Sequence, residues 1–151
     1  MMTKLSLAFI GSILLVLTGC NSSPSFGGEK SKKEYFTGGK IRSEFIMEDQ
    51  SGQNGVRKEY DYDGNIMSIT PVRNGVPDGP ATKYDPKGRL IAKTIYLNGK
   101  KDGLQEAYYP NGEVMISYTY KNGVKDGPAY SYNKDGSINK EVIYANDKIV
   151  N

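Results

Sequence analysis

Side chains able to do covalent or acid–base chemistry are scarce in this chain of 151 residues. It has no histidine and a single cysteine, Cys20. Without an imidazole the common nucleophile–base pairs cannot be assembled, and histidine ligation of a metal is excluded. Asp61-Tyr62-Asp63-Gly64 has a faint likeness to a calcium loop. An EF-hand, however, needs glycine at its sixth position and a distant glutamate, and the sixth residue here is Ile66. Asp-x-Asp-Gly here occupies the position of a hairpin turn, so turn chemistry explains it. The expectation is therefore no catalytic residue, no metal and no cofactor. What the chain has in quantity is tyrosine, 12 in all, a side chain that meets partners with both ring and hydroxyl.

Cys20 is explained by what precedes it. Lys4 is followed by an apolar run from Leu5 to Leu17, broken only by Ser6, Gly11 and Ser12. That run is shorter than the ~20 apolar residues of a transmembrane span and has the form of a secretion leader. It ends in Leu17-Thr18-Gly19-Cys20, which resembles the lipobox of bacterial lipoproteins. The resemblance implies cleavage before Cys20 and lipidation of Cys20 as the new first residue. The alternatives are an ordinary secretory leader with an incidental cysteine, or a short anchor. Several acyl chains on one residue hold a protein stably on a membrane. Asn21, where that family carries aspartate for inner-membrane retention, points to the outer membrane, facing the periplasm.

Residues 1–19 are thus read as a lipoprotein signal peptide, 20–32 as a lipidated flexible tether, and 33–151 as the folded domain. The tether is rich in serine, glycine, proline and lysine and has little to bury. The chain carries 20 basic and 17 acidic residues. Lys4 leaves with the leader, so the mature protein is close to neutral. That balance, with a secreted location, argues against nucleic acid as a partner.

The folded part must position its side chains by repetition. Tyr60, Tyr84, Tyr108 and Tyr132 recur every 24 residues, each followed four residues later by glycine. Asn74-Gly75, Asn98-Gly99 and Asn122-Gly123 hold a second column, which ends at Asn146-Asp147; Asp78-Gly79, Asp102-Gly103 and Asp126-Gly127 hold a third. Repeat arrays of this kind usually bind rather than catalyse.

One unit reads as two antiparallel strands and two turns. Pro86-Lys87-Gly88 suits a three-residue hairpin, with glycine in left-handed geometry. Closing it at Asp85 and Arg89 places Tyr84 opposite Leu90. Residues 89–97 are strand-forming. Residues 98–103 read as a second, longer turn, with Leu104 opening the next strand. Glycine interrupts every helical pattern. The fold class is all-β: a single elongated antiparallel meander of about ten strands. A degenerate first unit starts at Tyr35, its extra residue placed within 51–54. Asp78, Asp102 and Asp126 read as turn residues on a solvated edge. Lys83, Lys93, Lys101 and Lys125, with others, read as edge protection.

Strand side chains alternate between faces. Ten of the tyrosines have even numbers. If the turns preserve parity, nearly all tyrosines share one face with Leu90, Val114, Ile66 and Ile138. That face either packs the thin sheet through cross-strand pairs or binds a partner. Tyr96, Tyr120 and Tyr144 occupy one repeat column and are the candidate partner-contact row.

The runs Tyr-Tyr-Pro-Asn-Gly (108–112) and Tyr-Lys-Asn-Gly-Val-Lys-Asp-Gly-Pro (120–128) resemble the MORN-repeat variant family of bacteria. The likeness covers about residues 33–147 and is best between Tyr84 and Tyr132. It implies a β-hairpin array. Some members are described as antitoxins or immunity proteins, so the resemblance implies a protein partner, a cognate toxin; the envelope location expected from Cys20 favours one that acts on phospholipid or cell wall over a cytoplasmic nuclease. The alternative is a structural or assembly lipoprotein that binds another envelope component.

Overall fold

The computed structural model describes residues 30–151. The leader, Cys20 and most of the expected tether lie outside the described residues. From Lys30 onward the chain is strand and turn, without helix. Twelve strands form one antiparallel sheet. They are β1 (Ser31–Tyr35), β2 (Ile41–Met47), β3 (Gly55–Tyr60), β4 (Ile66–Arg73), β5 (Val76–Pro77) and β6 (Gly79–Tyr84), then β7 (Leu90–Leu97), β8 (Lys100–Tyr108), β9 (Val114–Lys121), β10 (Val124–Tyr132), β11 (Ile138–Ala145) and β12 (Lys148–Ile149). Each strand pairs with its neighbour in sequence, except that two-residue β5 and then β6 both pair with β4. The meander is as expected, with two short strands added.

The three-residue hairpins form as their residues dictate. The Asp85 amide donates to the Arg89 carbonyl at 3.0 Å, and the Gly88 amide to the Asp85 carbonyl at 2.8 Å. The Asp85 carboxylate accepts from the Lys87 and Arg89 amides. Gly88 has φ +76° and Gly112 φ +91°, which glycine adopts at little cost. Tyr84 pairs with Leu90. Asp61 likewise turns its carboxylate onto the amides of Asp63 and Asn65, so the Asp-x-Asp-Gly run is a turn that binds itself.

The second turn differs from the six-residue loop expected. Asn98 and Gly99, at φ +49° and +82°, make a two-residue hairpin in which Leu97 pairs with Lys100. Left-handed geometry at both central residues is the turn whose twist matches a β-ribbon. The strand therefore resumes at Lys100, and Asp102-Gly103 falls inside β8 as a bulge: Tyr96 pairs with Lys101, but Thr94 pairs with Gln105. The Asp column is not a free edge either. The Asp102 carboxylate accepts the Asn122 amide at 2.9 Å, and Asp78 and Asp126 accept those of Asn98 and Asn146. Each aspartate clamps the turn of the next repeat.

Tyrosine parity is also corrected. Tyr84 pairs with Leu90, yet Lys83 pairs with Ala92, so Ile91 is an extra residue that reverses the phase of the rest of β7. The same slip follows Tyr60, Tyr108 and Tyr132. The two-residue hairpin then pairs odd with even positions. Even-numbered tyrosines consequently fall on both faces: Tyr60, Tyr84, Tyr108 and Tyr132 on one, and Tyr96, Tyr120 and Tyr144 on the other.

Only Val72 and Ala129 are buried apolar residues among those described. A single layer has no second sheet to bury against, so its large side chains shield one another along each face.

Candidate functional site

The two faces differ in how their tyrosines are used. On the first, four hydroxyls have partners within the sheet, while that of Tyr84 has none among the described residues. Tyr60 donates to Glu44 at 3.2 Å and Tyr108 to Glu106 at 2.7 Å. The Tyr132 hydroxyl lies 3.5 Å from that of buried Ser117, and Tyr130 bonds Glu141. Lys33 lies 3.3 Å from Glu44. Most tyrosine hydroxyls of this face are thus paired within the sheet, although Leu97, Leu104 and Ile138 on it stay exposed.

Burial, with the Glu106 carboxylate beside it, pushes the Tyr108 phenol up to about 12. Its folded pKa exceeds the unfolded value near 10. The stability it contributes is therefore complete below pH 10 and lost as pH rises through about 12. Alkaline titration followed by phenolate absorbance should show a step near pH 12 that Tyr108→Phe removes. A titration complete by pH 11 in the folded protein would contradict this placement.

The second face carries Tyr96, Tyr118, Tyr120 and Tyr144, none of whose hydroxyls has a hydrogen-bond partner among the described residues. The register brings the column named from the sequence onto one row. Tyr96 lies opposite Gly79, Tyr120 opposite Gly103 and Tyr144 opposite Gly127. Each large ring thus stands against the residue without a side chain. Between the rings stand lysines: Tyr96 pairs with Lys101 on β8, and Tyr120 pairs with Lys125 on β10. The row across β7 to β11 alternates Tyr96, Lys101, Tyr120, Lys125, Tyr144.

The contacts along this ladder are close. Lys101 Nζ lies 4.7 Å from the centre of the Tyr120 ring, and Lys125 Nζ lies 4.1 Å from that of Tyr118 and 5.0 Å from that of Tyr144. Such geometry is a cation–π contact. Tyr118 meets Tyr120 and Tyr144 edge-on at 6.5 and 6.2 Å. Lys101 also donates to Gln105 at 2.7 Å. Neither lysine has a salt bridge among the described residues. Burial, with Lys125 and Lys83 nearby, holds the Lys101 ammonium below the usual lysine value. Burial likewise raises the Tyr120 phenol, against the pull of Lys125.

This face is grooved, and the opposite face has a hollow of its own, of about 500 Å³, beside Ile66, Ile69 and Tyr84. Small residues floor the ladder face, with Ala81 and Ala92 beside Thr94 and Tyr96 in one groove and Ala129 between Tyr118 and Tyr144 in another. Towards β1 it opens into a cavity of about 830 Å³ lined by Arg42, Arg57, Glu34 and Glu59.

Tyr118, Lys101 and Lys125 were not singled out from the sequence. A lysine five residues after Tyr96 and after Tyr120 was the available signal. It was masked by reading those lysines as part of a long turn and as edge charges. Cys20 cannot be placed on either face, since it lies outside the described residues.

The sheet is a tandem array of hairpins. The family model of the MORN repeat variant matches residues 53–74 and 101–122. The two matches lie two units apart, in the same phase of the repeat. Repeats of this type are non-catalytic and generally bind proteins or membranes. No curated protein matches the chain.

Proposed function

We propose that the protein is a lipid-anchored, periplasm-facing envelope lipoprotein whose repeat sheet binds another protein and neutralises it, in the manner of an immunity protein or antitoxin, with no catalytic activity of its own. The observation that carries the reading is the face of Tyr96, Tyr118, Tyr120 and Tyr144, where four tyrosines keep their hydroxyls free beside two lysines without carboxylate partners. Tyrosine gives large contact area at low side-chain entropy cost, and a repeat sheet presents it as an extended surface. The lipobox-like Leu17-Thr18-Gly19-Cys20 and Asn21 support an outer-membrane anchor. In that location a toxin directed at phospholipid or cell wall fits better than a cytoplasmic nuclease. The contact row is Tyr96, Tyr120 and Tyr144.

The test is co-expression with any secreted effector encoded beside this gene, with pull-down and growth as readouts. The wild-type lipoprotein should bind the effector and restore growth. Tyr96→Ala with Tyr120→Ala should lose protection by at least tenfold while remaining folded. A wild-type protein that neither binds nor protects would remove the immunity reading and leave a scaffold of the envelope in its place.

A further inference from the structure

Within this protein-binding reading, we infer that the Tyr96–Lys101–Tyr120–Lys125–Tyr144 ladder is a docking strip for an acidic protein segment, one that sets two carboxylates on the two lysines and lies over the three rings. The argument begins with charge. By register, no carboxylate of β6 to β11 shares the ladder's face. Glu106 pairs with Ser117 and Glu141 with Tyr130, both on the opposite face. Asp102 and Asp126 are turned onto the amides of Asn122 and Asn146. Asp147 stands at the margin, where its carboxylate accepts the Lys125 amide rather than the Lys125 ammonium.

Two ammonium groups are thus half-buried, near each other, and held only by ring faces and one amide oxygen. Lys83 adds a third positive charge on this face. A partly desolvated cation gains most from a carboxylate brought by a partner. The free tyrosine hydroxyls can donate to the same carboxylates.

Geometry narrows the occupant further. Strands lie about 4.8 Å apart, so the five-residue row spans roughly 19 Å and its lysines stand roughly 10 Å from each other. That is the reach of a short extended segment or loop edge. The ladder adjoins two narrow hollows, one beside Tyr96 and one between Tyr118 and Tyr144. A narrow polypeptide can follow such a surface and a flat bilayer cannot. The strip also has a defined start. In the preceding repeat Val72 and Pro77 hold the positions of tyrosine and lysine, so the ladder belongs to the C-terminal repeats alone.

The experiment uses the full lipidated chain in nanodiscs of neutral phosphatidylcholine. The probe is a fluorescent extended peptide alternating glutamate and threonine, with a lysine–threonine peptide as control. The acidic peptide should bind, at least tenfold more weakly when salt rises from 50 to 500 mM, and the basic peptide should not. Lys101→Gln with Lys125→Gln should lose at least tenfold in affinity, whereas Lys93→Gln on the other face should change it less than twofold. Discs containing phosphatidylglycerol test the bilayer source: peptide binding outcompeted by those discs, or anionic-disc binding in trans that depends on Lys101 and Lys125 without peptide binding, would overturn the inference. So would acidic-peptide binding indifferent to the two lysines, or none. If the peptide fails yet the neighbouring effector still binds through Tyr96 and Tyr120, the acidic-strip inference falls and the protein-binding reading stands.

Discussion

Gly55→Ala is expected to destabilise the sheet by at least about 3 kcal/mol, enough to open the N-terminal hairpins. Gly55 pairs with Met47 on one side and Val72 on the other, so it sits inside the sheet. A β-carbon there would overlap the Ile46 carbonyl oxygen. That oxygen belongs to the backbone of β2 and cannot rotate away. Gly112→Ala is the control. Its φ of +91° strains any other residue, but an added β-carbon meets nothing within 4 Å. The cost should be only the left-handed term of about 1 kcal/mol, and Gly112→Val should cost more because branching worsens the local clash. Urea unfolding of the three variants separates these effects. A Gly55→Ala protein as stable as Gly112→Ala would contradict the register of β2 with β3.

Cys20→Ala should abolish membrane attachment altogether. Lys4, the apolar run and Leu17-Thr18-Gly19-Cys20 lead to the expectation that acyl chains on Cys20 are the anchor. Two or more chains hold a protein on a bilayer where one does not, so loss of the acceptor sulfur should be all-or-none. Labelling with a clickable fatty acid should disappear, and the protein should move to the soluble fraction after a high-salt wash. Circular dichroism should still show sheet, because the repeats begin downstream. A Cys20→Ala protein that stays with membranes through that wash would remove the lipidated-anchor reading.

How much of this was legible in the chain differs from feature to feature. The Tyr84–Leu90 hairpin was readable because its signals are local: Pro86 presets one turn position and Gly88 permits the left-handed one. The phase of β7 was not. It is set by the extra residue Ile91, and the equivalent positions hold Arg42, Met67, Met115 and Asn139. A bulge fixed by cross-strand register needs no particular side chain and leaves no signature. The Asp-Gly column did leave one, but it adjoins Asn-Gly, and the two were merged into a single loop. Asn98-Gly99 alone suffices for the turn. Gly103 is needed for a different reason, since a β-carbon there would stand 3.2 Å from that of Ile95. Once those two features are separated, Lys101 moves from a turn to a strand and the ladder becomes visible. The column of Tyr96, Tyr120 and Tyr144 was found by spacing alone, because a period of 24 survives any error in parity.

The division of labour between the faces is the central claim, and one comparison of affinities tests it. The protein partner retained in the effector pull-down should be titrated against wild type, against Tyr96→Ala with Tyr120→Ala, and against Tyr84→Ala with Tyr108→Ala, all matched for fold by circular dichroism. Both pairs remove two rings one repeat apart, so the contrast isolates the face. The ladder pair should weaken binding at least tenfold, consistent with tyrosine anchors at an interface, while the carboxylate-face pair should stay within about threefold and lose stability instead. Equal losses from the two pairs, or a larger loss from Tyr84 and Tyr108, would contradict the account.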